Sequence, residues 1–154
     1  MNESKIVTSR PATAGDAAVD GLLSGIAAGV VMAIYLVLIG VVTGTGLAAT
    51  LSAFDLGQGV SPVRGAVIHL AVAAIYGMVF SLAYRLIVRR RSMGRGANVI
   101  IGLVYGLLLW SITQAAFVAG INVALNSLPA VHFAVVHGIY GVTLGWLIGR
   151  AQAE

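Results

Sequence analysis

Residues 21–42 read GLLSGIAAGVVMAIYLVLIGVV, 22 positions without one charged side chain. As a helix this run is roughly 33 Å long at 1.5 Å per residue, enough to cross a hydrocarbon layer of about 30 Å. Three more apolar runs follow, at about 64–88, 97–123 and 129–149. In lipid an unpaired backbone N–H or C=O is costly, so each run is expected to close its hydrogen bonds within itself, as a helix. The expected fold class is all-α: an integral membrane bundle of four transmembrane helices spanning residues 20–150. Short polar tails are expected at 1–19 and 151–154, with Asp20 as the N-cap of the first helix.

Composition excludes the soluble alternatives. Charged residues make up 9% of the chain and apolar ones 59%. A soluble domain carries about 25% charged residues; here there is too little charge to coat a wetted surface. The net charge of +4 does not point to nucleic acid, because the basic residues are concentrated in one connection. The stretch RLIVRRRSMGR holds Arg85, Arg89, Arg90, Arg91 and Arg95, five of the nine Lys+Arg residues. Lys5, Arg10 and Arg150 add to the same side, and Arg64 stands alone on the other. The positive-inside rule then puts both termini and the arginine loop in the cytoplasm of a bacterial inner membrane. There the arginines could also meet anionic lipid headgroups.

Small residues recur every fourth position: Gly21, Gly25, Gly29 and Ala33 in the first span, Ala73, Gly77 and Ser81 in the second, Gly102 and Gly106 in the third, Gly141, Gly145 and Gly149 in the fourth. Such ridges let helix backbones approach closely, so dispersion can hold them together. Ile75-Tyr76-Gly77 is echoed by Ile139-Tyr140-Gly141, 64 residues on, and Gly25…Gly29 by Gly102…Gly106, 77 residues on. The expectation is two related hairpins repeated in parallel, the first with a longer connection at 43–63. Within that connection Leu47, Leu51 and Phe54 have the spacing of a short surface helix.

The five acids (Glu3, Asp16, Asp20, Asp55 and Glu154) all lie outside the four spans as drawn. That argues against an ion-coupled transporter, which needs a titratable group in the membrane. The absence of cysteine removes disulfides and thiolate chemistry. No phosphate loop, nucleophile elbow or metalloprotease motif is present, and no catalytic residue is expected. Three histidines remain. His69, His132 and His137 fall at similar depth in the half opposite the arginines. Facing imidazoles could ligate a b-type haem, with His69 pairing His132 or His137, or hold zinc or copper. Tyr76 and Tyr140, with Thr113 and Gln114, could serve a quinone or pigment.

Gly21-x-x-x-Gly25-x-x-x-Gly29-x-x-Met32 and His137-x-x-Tyr140-Gly141-x-x-x-Gly145 resemble the small four-helix bacterial inner-membrane proteins of the YagU-like type. The resemblance implies a four-span fold and no activity. The expected function is non-enzymatic: an accessory or structural subunit of a larger respiratory or photosynthetic electron-transfer complex, with membrane lipids and other membrane subunits as partners. The alternatives are a homo-oligomeric channel for a small solute, with Ser81, Ser111, Thr113 and Gln114 as pore-lining candidates, and a haem-binding subunit.

Overall fold

A computed structural model describes residues 13–55, 57, 60–88, 94–118 and 130–151. Among the described residues there are five helices: α1 (Ala14–Val42), α2 (Leu47–Ser52), α3 (Pro62–Ile87), α4 (Arg95–Val118) and α5 (Ala130–Ala151). All but α2 are long and apolar enough to cross a membrane, the make-up of a multi-pass membrane protein. The expected end of the third span at 123, the 124–129 connection, and the arginines at 89–91 lie outside the described residues.

Helix α1 begins two turns earlier than its apolar run. Its cap is Thr13, not Asp20. The Thr13 hydroxyl accepts the Asp16 N–H at 3.1 Å, and the Asp16 carboxylate accepts the Thr13 N–H at 2.6 Å. This reciprocal capping box satisfies two backbone groups at once, and Asp20 lies exposed on the helix it starts. Ser61 caps α3 by accepting from the Arg64 N–H at 3.3 Å, with Pro62 in the first turn.

The glycine ridges are used inside each hairpin. In the first, a Cβ placed on Gly77 would strike the Gly21 carbonyl and the Gly25 backbone, and one placed on Gly25 would strike the Ala73 carbonyl. In the second, a Cβ on Gly141 would strike the Gly102 carbonyl and the Gly106 backbone, and one on Gly106 the carbonyl of His137. The two crossings have the same pattern, so the hairpins are a structural repeat. Its register differs from that expected. Gly21 and Gly25 correspond to Gly102 and Gly106, an offset of 81, while Gly77 and Gly141 keep the offset of 64. The ladder in α1 has one more rung than a crossing needs, and α3 engages the earlier two. Gly29 is left to face the Ala73 side chain and His69.

Between the hairpins α1 packs directly on α5. Helices α3 and α4 meet through long side chains: Tyr84 donates to Asn98 Oδ1 at 2.6 Å, Tyr105 donates to the Tyr76 carbonyl at 2.8 Å, and the Phe80 and Tyr105 rings lie 5.0 Å apart. The core follows this seam, with Ala28, Leu36, Val136 and Leu144 fully enclosed. On the outside, Leu38, Val67, Ile100, Val104 and Ile112 are more than half exposed, as lipid-facing side chains should be. Arg85 and Arg150 fall in the last turns of α3 and α5, where a cation complements the helix dipole. They mark the arginine end of the bundle.

Candidate functional site

At the opposite end residues 43–55 fold back over the bundle. Gly44 and Gly46 adopt φ of 83° and 79°, a left-handed turn that a residue with a Cβ adopts at a cost. Helix α2 then settles on α1 and α3, with Thr50 buried against Gly40 and the Leu51 carbonyl against Gly65. The surface helix expected here exists. It is a cap on the first hairpin, with Leu47 pointing away.

Asp55 fastens this cap. Its carboxylate accepts both Arg64 Nε and one Arg64 Nη at 2.6 Å, the Gly57 N–H at 2.9 Å and the Ser61 N–H at 2.8 Å. A bidentate guanidinium with two backbone donors is a strong and directional set, and the Asp55 side chain is 2% exposed. These donors, the guanidinium first, hold the carboxyl well below the usual carboxylate range. Residue 54 is thereby fixed, and the Phe54 ring lies 4.6 Å from that of His69.

Beneath Phe54 is a cavity of about 210 Å³ where α3, α4 and α5 part. Met32 of α1 lines it with His69, Ala73 and Tyr76 of α3, Leu109 and Thr113 of α4, and Phe133, His137 and Tyr140 of α5. Two of the three histidines therefore converge. His132 does not. Five residues along a helix turn it about 140° from His137, so it faces α1 and meets Tyr35 Oη at 3.0 Å. A pairing of His69 with His132 at one ligand is not what the fold provides.

Backbone carbonyls orient both cavity imidazoles. His69 Nε2 lies 3.0 Å from the Gly29 carbonyl, and His137 Nδ1 lies 2.8 Å from the Phe133 carbonyl. A carbonyl can only accept, so each of these nitrogens is the N–H. That leaves a lone pair on His69 Nδ1 and on His137 Nε2. The back-bond also fixes depth. His137 is the repeat counterpart of Ala73, one turn beyond His69, but its ring folds back toward Phe133, the counterpart of His69. Both rings line the same cavity.

Two hydroxyl protons around the cavity are engaged too. Tyr140 donates to the Ala73 carbonyl at 2.7 Å and Thr113 to the Leu109 carbonyl at 2.9 Å. The two imidazoles thus present lone pairs in an apolar setting. Among the described residues no three His, Cys, Asp or Glu side chains cluster. Of the pore-lining candidates, Ser81 is buried at the α1–α3 crossing beside Gly21, and Ser111 is exposed and bonds back to Leu107; of the four, Thr113 lines the cavity.

A family model covers residues 15–154, from the first turn of α1 to the last residue. The chain belongs to the DUF6789 family. It is a family of unknown function, so what a DUF6789 chain does has to be argued from its own residues. No curated protein and no solved structure matches it.

Composition and spacing pointed to His69, His132 and His137 without separating the last two. They missed Phe54 and the Asp55–Arg64 clasp. The available signal was one acid and one base, nine residues apart, in a stretch otherwise free of charge.

Proposed function

We propose that this DUF6789 protein is a non-enzymatic bacterial inner-membrane subunit that holds a small electron-accepting ligand or cofactor between His69 and His137 for a larger electron-transfer assembly. The observation that carries this reading is the convergence of two carbonyl-oriented imidazoles, one from each hairpin, on one cavity. Orientation of one ring nitrogen by a carbonyl, with the other left as a donor of its lone pair, is the usual arrangement behind a histidine ligand. A cavity that joins two separately zipped hairpins also gives ligand binding a mechanical effect, because it ties the halves together.

Small-residue ridges do not by themselves support a docking role, since each hairpin uses its own internally. Support for a subunit comes instead from the four spans as drawn in the sequence, which hold no acid that an ion-coupled carrier acting alone would need. Both termini and the arginine loop are placed in the cytoplasm, so the cavity lies in the outer half of the membrane. The glycine ladders and the four spans support kinship with the YagU-like proteins.

The test is purification from native membranes in mild detergent, with metal analysis, an absorbance spectrum and identification of co-purifying subunits. A stoichiometric ligand lost in the His69→Ala and His137→Ala variants supports the proposal. Protein that runs alone, with no ligand, sinks it.

A further inference from the structure

We infer that the cavity is a copper(I) site, with His69 Nδ1, His137 Nε2 and the Met32 thioether as its ligands. This rests on the cavity being a ligand site at all, and it names the ligand class.

Charge is the first argument. All three donors are neutral, the cavity lining includes no carboxylate, and the chain has no cysteine. A metal ion in an apolar site keeps whatever charge its ligands do not cancel, and uncompensated charge away from water is costly. A dication such as zinc would retain both charges. A monovalent ion retains one, so the site discriminates against zinc by charge alone.

Donor softness is the second. Imidazole suits zinc, copper, iron and nickel, but a thioether selects for copper(I) among them. Met32 supplies the sulfur among the lining residues, and it is 8% exposed, as are His69 and His137. It belongs to the same helix whose Gly29 carbonyl orients His69. A single helix, α1, therefore brings one ligand and aims a second.

Size is the third. About 210 Å³ is below the roughly 300–1,000 Å³ typical of pockets for drug-sized molecules, so a macrocycle with its substituents is poorly accommodated while a bare ion is not. A porphyrin would also need cationic partners for its carboxylates. Arg64, the basic residue at this end, is clasped by Asp55.

The experiment is anaerobic titration of the purified full-length protein in detergent against bicinchoninate-buffered copper(I), followed by X-ray absorption at the copper edge. One copper(I) per chain is expected, with nitrogen and sulfur scatterers. Met32→Leu, which keeps the apolar volume, should remove the sulfur signal and weaken binding at least tenfold. His69→Ala and His137→Ala should abolish binding, and His132→Ala should leave it unchanged. Helix content and monodispersity of Met32→Leu are checked first. If Met32→Leu binds copper(I) as tightly as the parent, the assignment is wrong. A Soret band or bound zinc, with copper(I) refused, would overturn copper while leaving a ligand cavity in place. No binding of any of the three would overturn both.

Discussion

Tyr140 donates its hydroxyl proton to the carbonyl of Ala73 at 2.7 Å, so the second hairpin is bonded to the backbone of the first at the wall of the cavity. The phenol is 2% exposed. The same carbonyl lies against Gly25 in the α1–α3 crossing. One acceptor thus serves both the closure of a hairpin and the union of the two.

Tyr140→Phe removes that bond and keeps the ring. Hydrogen bonds between membrane helices average about 0.6 kcal/mol and reach about 1.7. A loss of roughly 1 kcal/mol is expected, read as a small fall in thermal or denaturant stability in detergent, with helix content unchanged. A loss above about 3 kcal/mol would show that the hydroxyl does more than join the hairpins.

Gly77→Ala and Gly141→Ala place a methyl group on backbone that cannot move aside. Overpacking of this kind costs about 1–3 kcal/mol, and the two variants should behave alike because the crossings are equivalent. Gly96→Ala, on an open face of α4, should be neutral or gain up to about 1 kcal/mol from helix propensity. The measurement is the yield of monodisperse protein and its unfolding midpoint.

Asp55 sets the response of the cap to pH. Its carboxyl is depressed in the folded state, so its contribution is complete above the unfolded value of about 3.9 and is lost as pH falls through the lower folded value. Hydrogen exchange of the Ser61 amide should therefore show no extra opening between pH 8 and pH 5. Asp55→Asn should accelerate it at least tenfold at neutral pH. Opening of the unmodified protein at pH 6 would contradict the clasp.

The chain has no cysteine, so single cysteines report orientation cleanly. Leu47→Cys, exposed on α2, should react with an impermeant maleimide in intact spheroplasts. Gly94→Cys, beside the arginine loop, should react only after permeabilisation. The reverse pattern would move the cavity to the cytoplasmic half.

How much of this was legible in the sequence depended on the kind of signal. Four spans were legible because a bilayer demands long charge-free runs, and nothing in the fold competes with that demand. The start of α1 was misplaced because hydropathy begins at Gly21, whereas the helix is nucleated by Thr13 and Asp16, which hydropathy does not register. The duplication was visible in Tyr76-Gly77 and Tyr140-Gly141. Its register was not, since a ladder of evenly spaced glycines fits a partner equally well one turn along, and only the meeting with α3 decides. The three histidines could be singled out by rarity and depth. His137 shares the cavity face of α5 with Phe133 and Tyr140, at i, i+4 and i+7, but which face of α5 meets α3 is decided by the packing of the two hairpins.

Each hairpin buries its closest backbone contacts within itself, Gly21 and Gly25 on Gly77, Gly102 and Gly106 on Gly141. During synthesis the first pair of spans can therefore zip while the second pair is still on the ribosome, and no contact with later residues is needed for that step. The seam between the halves forms last. The space between His69 and His137 is thus bounded by walls from both halves, and it does not exist until α5 has been made and has met the first hairpin.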